Sequence, residues 1–136
     1  MKSTLIFGLI VAILGSQSSF AGGGHHSNDE LGQTCLMMTH HLNRIANSNE
    51  HDSCSGDVRV AGAYLQSASY ALFNNKTRAA SVPLTYARNE LKEIAYNRSY
   101  CEALASSVKP FLAQVILIQG ELDAQNVAQA EGGALD

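Results

Sequence analysis

Tryptophan is absent, proline occurs twice, and only 15% of the residues are charged. Nine basic side chains stand against twelve acidic ones, for a formal charge of −3. A mildly acidic chain with scattered cations is not built to attract phosphate, so no nucleic-acid partner is expected. Cysteine is scarce: Cys35, Cys54 and Cys101, with no C-x-x-C. That spacing excludes a thioredoxin-type redox pair, a zinc knuckle and c-type haem attachment. G-x-S-x-G, H-E-x-x-H, the P-loop and the dinucleotide fingerprint are missing too. No catalytic residue is therefore assigned, and binding rather than enzymatic chemistry is expected.

Long apolar runs are also rare. The only uninterrupted one, LIFGLIVAIL over residues 5–14, is shorter than the about 20 residues that span a bilayer. Lys2 precedes it, and Ser19-Phe20-Ala21 places small residues three before and one before a cut after Ala21. This is the pattern of an export signal over residues 1–21. Its removal would leave 115 residues and a charge of −4, enough chain for one domain with a real core. No transmembrane segment is expected in the mature chain, and the location is secreted or periplasmic. A flexible Gly/His segment over 22–28 would follow, then one helical domain over 29–130 and a frayed tail over 131–136.

What the chain does have is apolar residues at helical spacing. Leu31, Cys35, Met38, Leu42 and Ile45 repeat at four, three, four and three, behind a cap at Asn28 or Asp29. Val58, Ala61, Leu65, Ala68 and Leu72 make a second stripe, with Asn74-Asn75-Lys76 closing it and 76–82 reading as linker. Pro83 suits a first helical position, followed by Leu84, Ala87, Leu91, Ile94, Cys101, Ala105 and Val108. Arg98 interrupts that stripe, and Ser99 with Glu102 has capping-box spacing, so a kink or split is expected near Asn97. Pro110 reads as the fourth start, and the apolar FLAQVILI after it predicts the most buried helix. Four such helices predict an all-α fold: a four-helix antiparallel bundle, or two crossed helical hairpins.

Bundle geometry bears on the cysteines. With the first helix running up, Cys54 lies in the upper loop. Cys101, 18 residues beyond Pro83, lies roughly 27 Å up the third helix. A Cys54–Cys101 disulfide follows, with Cys35 a thiol on the core stripe. Crosswise packing would instead bring Cys35 to Cys101.

Two groups of candidate site residues remain. Tyr86, Arg88, Asn89, Tyr96, Arg98 and Tyr100 crowd one region, and Tyr and Arg dominate binding hot spots. They predict a recognition face for a protein partner or anionic lipid headgroups. Arg98 would pair with Asp57 or Glu102, while Glu90 and Glu93 would lie on a solvated face with ion pairing to Arg88. No cofactor is expected, but weak copper or zinc binding is an alternative through His25 and His26 beside the glycines. His41 would join them, with Met37 and Cys35 as soft neighbours.

Overall fold

The computed structural model describes the backbone over residues 26–135 and side chains over 26–129. The expected export signal over 1–21, most of the glycine segment and His25 lie outside the described residues. The chain is all-α: 88% helical, with four helices and no strand among the described residues. α1 is Asn28–Ser48, α2 Ser55–Phe73, α3 Thr77–Lys92 and α4 Glu102–Leu135. Each helix packs mainly on its neighbours in sequence, and α4 also touches α1.

The two N-terminal stripes fold as their spacing predicts. Leu31, Cys35, Met38 and Leu42 are buried, facing buried Val58, Ala61, Leu65, Ala68 and Leu72. The cap of α1 is one residue earlier than expected. Ser27 Oγ accepts from the Glu30 amide at 3.1 Å, and the Glu30 carboxylate accepts from the Ser27 amide at 3.3 Å. That reciprocal box satisfies two amides that a helix start otherwise leaves unpaired. Where α1 and α2 meet, Thr39 donates to the Gly62 carbonyl at 3.0 Å. A Cβ on Gly62 would lie 3.3 Å from Asn43 Oδ1, so only glycine permits this approach without displacement.

Three boundaries differ from expectation, each for an identifiable reason. α3 begins at Thr77, and the expected linker over 76–82 is helix. Thr77 and Ala80 are buried and extend the stripe backwards from Leu84 at spacings of three and four. Pro83 therefore lies inside the helix, where its missing amide proton costs only the bond to Ala79. Pro110 is likewise interior to α4 and exposed, so the Ser106 carbonyl it leaves without a donor falls on the solvent side. α4 also continues through Leu135, past the expected end at 130.

The break between α3 and α4 falls where the interrupted stripe predicts it. Glu93–Asn97 forms a single wide π-turn, Arg98 is extended (φ −95°, ψ 111°), and Ser99–Cys101 is a 3₁₀ turn. No side-chain cap from Ser99 forms there.

α4 is not the most buried helix. Val108, Leu112, Val115, Ile118 and Leu122 enter the core, but Ile116 and Leu117 are each about half exposed. The span 99–129 is long and apolar enough to cross a membrane by length and composition, and a third of its most apolar window is buried. The expectation from uninterrupted runs did not anticipate this.

Cys54 and Cys101 form a disulfide with Cα atoms 5.0 Å apart. Cys35 is free and fully buried, and burial pushes its thiol up to about 12. Only the thiolate attacks thiol reagents. Cys35 is therefore expected to resist a chromogenic disulfide reagent at pH 8 in the native protein and to react once denatured. Rapid native labelling would contradict its burial.

Candidate functional site

Arg98 is the one charged residue on the core stripe of its segment, and burying an unpaired guanidinium would be costly. The π-turn resolves the conflict by swinging it sideways. Its amide donates to the Glu93 carbonyl at 2.9 Å, the long bond that defines the wide turn. Its Nη1 donates to Glu90 Oε1, Nη2 reaches Oε2 at 3.4 Å, and Nη1 lies 3.1 Å from Asp57 Oδ2. One cation thus joins α3 to the first turn of α2. The side chains of Arg98, Glu90 and Asp57 keep about a quarter or less of their surface in solvent, so the pairing is only partly screened. The hydrogen bond to Glu90 holds the guanidinium well above its ordinary basicity, reinforced by the nearby carboxylate charges.

Asp57 also accepts from the Tyr100 hydroxyl at 2.7 Å, and its Oδ2 lies 3.8 Å from Cys101 Sγ. The disulfide and the ion pairs therefore pin the same junction from two sides. The bond to Asp57 raises the Tyr100 phenol above its ordinary value. A raised folded value means that this contribution to stability is complete below pH about 10 and is lost as pH rises through the folded value. Ultraviolet titration is expected to show one tyrosine ionising after the rest, and Asp57→Ala, which removes the acceptor, should abolish that lag. Identical titration of both proteins would contradict the bond.

Unwinding at the junction opens a cleft of about 290 Å³ lined by Ile94, Tyr96, Asn97, Arg98, Ser99 and Glu102, with Ala95 and Ala105 as small apolar lining. Tyr96 is 63% exposed at its edge, with Lys109 Nζ 5.0 Å from its ring centroid. Asn97 is exposed, and its Nδ2 donates to Glu93 Oε1 at 2.9 Å. Isolated π-turns often mark functional positions because they re-aim side chains at the cost of regular hydrogen bonding.

The structure brings together only part of the expected recognition face. Tyr96 and Arg98 line the cleft, and Tyr100 braces Arg98 from the far side through Asp57. Tyr86, Arg88 and Asn89 do not line it, and Tyr86 packs instead against Tyr64 of α2 with ring centroids 5.4 Å apart. Arg98 pairs with Asp57, one of its two expected acids, and with Glu90, but not with Glu102. Glu90 was expected on a solvated face. It stands eight residues before Arg98, a spacing of about two helical turns that does put the two on one side. Asn97, Ser99 and Glu102 complete the cleft, and only the local break brings them into it.

Among the described residues, His26 and His41 are held by different partners. His25 lies outside the described residues. The His26 Nδ1 is 3.1 Å from both carboxylate oxygens of Glu121, and the His26 amide donates to the same carboxylate at 2.6 Å. This residue, expected in a flexible segment, is thereby tied to α4. His41 is exposed and packs against Phe111 with centroids 6.2 Å apart, while Met37 points outward and Cys35 inward. Cys54, Asp57 and Cys101 have ligand-type atoms within 4.8 Å of one another, but the sulfurs are bonded together and are not thiolates.

No protein-family model matches the chain, and neither a curated protein nor a solved structure matches it.

Proposed function

We propose that this chain is an exported binding protein, cleaved after Ala21, that folds as a four-helix antiparallel bundle and recognises a protein partner at the α3–α4 cleft. The supporting observation is the cleft itself. It combines an exposed tyrosine, exposed amide and carboxylate residues and small apolar lining, built on a junction held by a disulfide and a three-residue ion cluster. Rigid aromatic anchors in a preorganised depression are what protein recognition uses, because little entropy is lost on docking. Its balance of charge supports a protein over an anionic lipid surface. Arg98 is already matched by Glu90 and Asp57, and Glu102 adds a negative charge at the rim.

The test uses the exported protein and its Tyr96→Ala and Glu102→Lys variants. Binding to a protein from the extracytoplasmic fraction should fall roughly tenfold or more in Tyr96→Ala, the loss of a hot-spot aromatic. Thermal stability should be nearly unchanged, since the side chain is exposed. Binding to phosphatidylglycerol vesicles that survives in Tyr96→Ala and rises in Glu102→Lys would favour the lipid reading instead.

A further inference from the structure

The outer face of α4 is apolar and unpartnered among the described residues, and its pattern specifies an occupant. Ala113, Ile116, Leu117, Gly120, Ala124 and Val127 all lie on the exposed side, opposite the buried Val115, Ile118 and Leu122. At 100° per residue, Ala113, Gly120 and Ala124 run down the centre of this face, flanked by Ile116 on one side and Leu117 on the other. A Cβ on Gly120 would meet nothing within 4 Å, so the centre of the face is open to close approach. Small residues in such a line let two helix backbones come near each other.

Charge then identifies what fits. From Pro110 to Leu122 the only charged residue is Glu121, which is turned toward α1 and engaged by His26. Lys109 stands at one end of the apolar stretch and Asp123 at the other, each seven residues from Ile116 and on the same side of the helix. One end is therefore cationic and the other anionic. A two-fold axis level with Ile116 sets Ile116 on the second copy's Ile116 and brings Ala113 within one residue of its Gly120. The same operation brings Lys109 beside the other copy's Asp123, at both ends at once. The charge pattern is self-complementary when the helices are antiparallel, one of the two arrangements a two-fold axis permits. Parallel pairing would set like charges together.

We infer that two copies of this chain associate through α4, crossing antiparallel at Ile116, Leu117 and Gly120 with reciprocal Lys109–Asp123 pairs. This surface meets the cleft at Lys109, whose Nζ lies 5.0 Å from the Tyr96 ring centroid, so Gly120→Glu, which leaves that contact alone, separates failure of one from failure of the other.

Sedimentation equilibrium of the exported protein, from about 1 to 100 µM, tests it over the usual range of weak self-association. A monomer–dimer equilibrium is expected. Gly120→Glu, which places a charge at the centre of the face, should weaken it roughly tenfold or more with the circular-dichroism spectrum unchanged. Lys109→Glu should weaken it about two- to fivefold, and so should Asp123→Lys. The doubly exchanged protein should recover wild-type association, a rescue that loss of the Lys109–Tyr96 contact cannot produce. A protein that stays monomeric throughout overturns the inference, as does a dimer indifferent to Gly120→Glu. A monomer that binds neutral phosphatidylcholine vesicles through Ile116 and Leu117 would make the face a lipid contact and also overturn it.

Discussion

Replacing Cys54 and Cys101 together by serine is expected to lower stability by about 2–4 kcal/mol. The bond links residues 47 apart, so it removes a large share of the freedom of the unfolded chain. In a domain of this size the melting temperature should fall by roughly 10–20 °C. Urea denaturation separates this cause from simple loss of packing. If the bond acts on the unfolded state, the midpoint falls while the dependence on urea steepens, because a chain without the link exposes more surface on unfolding. An unchanged midpoint would contradict the disulfide's role. The native helical signal should survive, since the cysteines end and begin helices rather than lie within them.

The second large effect concerns Arg98. Truncation to alanine leaves Glu90 and Asp57 facing each other, half-shielded, with no cation between them. Removing one partner from a shielded pair costs more than the pair's own net worth, because the remaining charges stay desolvated. Water still reaches these side chains, so a loss of about 1–3 kcal/mol is expected. Arg98→Lys should restore part of it, since an ammonium reaches one carboxylate but not both in the forked arrangement. Arg98→Ala combined with Glu90→Gln should be more stable than Arg98→Ala alone, because the uncompensated charge is gone. Equal stability of the two would contradict the ion cluster. The effects of Arg98 and of the disulfide should not add. Asp57 touches Tyr100, Arg98 and Cys101 at once, and neighbours that share a partner couple.

Much of this was legible in the sequence where one pattern spoke without a competitor. The α1 and α2 stripes carry no internal proline and end at polar runs, and every expected stripe residue is buried except Ile45, which is half-buried while Ala46 takes the core position. The disulfide followed from helix lengths and directions, which are set by rise per residue. The break near Asn97 followed from a lone arginine on an apolar stripe. Reading proline as punctuation failed twice, at Pro83 and Pro110. In both places the periodic stripe runs through the proline, and the stripe, which buries area along the whole helix, outweighs one missing hydrogen bond.

The burial of α4 was misread because FLAQVILI is apolar on every side. Composition does not say how many neighbours surround a helix, and α4 has a core on only one side. Only part of the expected recognition face comes together, for a related reason. Tyr86 and Tyr96 are ten residues apart, which in one continuous helix leaves them about 80° apart around the axis. The wide turn then moves Tyr96, Arg98 and Tyr100 again relative to Tyr86. Nothing in the spacing announces a π-turn, so the cleft and its Asn97, Ser99 and Glu102 edge emerge only from the folded backbone. His26 was read by composition as mobile, but its partner Glu121 lies 95 positions away, beyond any local pattern.

The claim that the α3–α4 cleft receives a partner is tested most directly by photo-crosslinking. A benzophenone side chain would replace Tyr96 in one protein and Tyr70, equally exposed on α2, in another. Both would be expressed from the full sequence and irradiated in intact cells. The account predicts a discrete protein adduct from position 96, lost on Glu102→Lys, and none from position 70. Adducts of the same kind from both positions, or from position 70 alone, would contradict it.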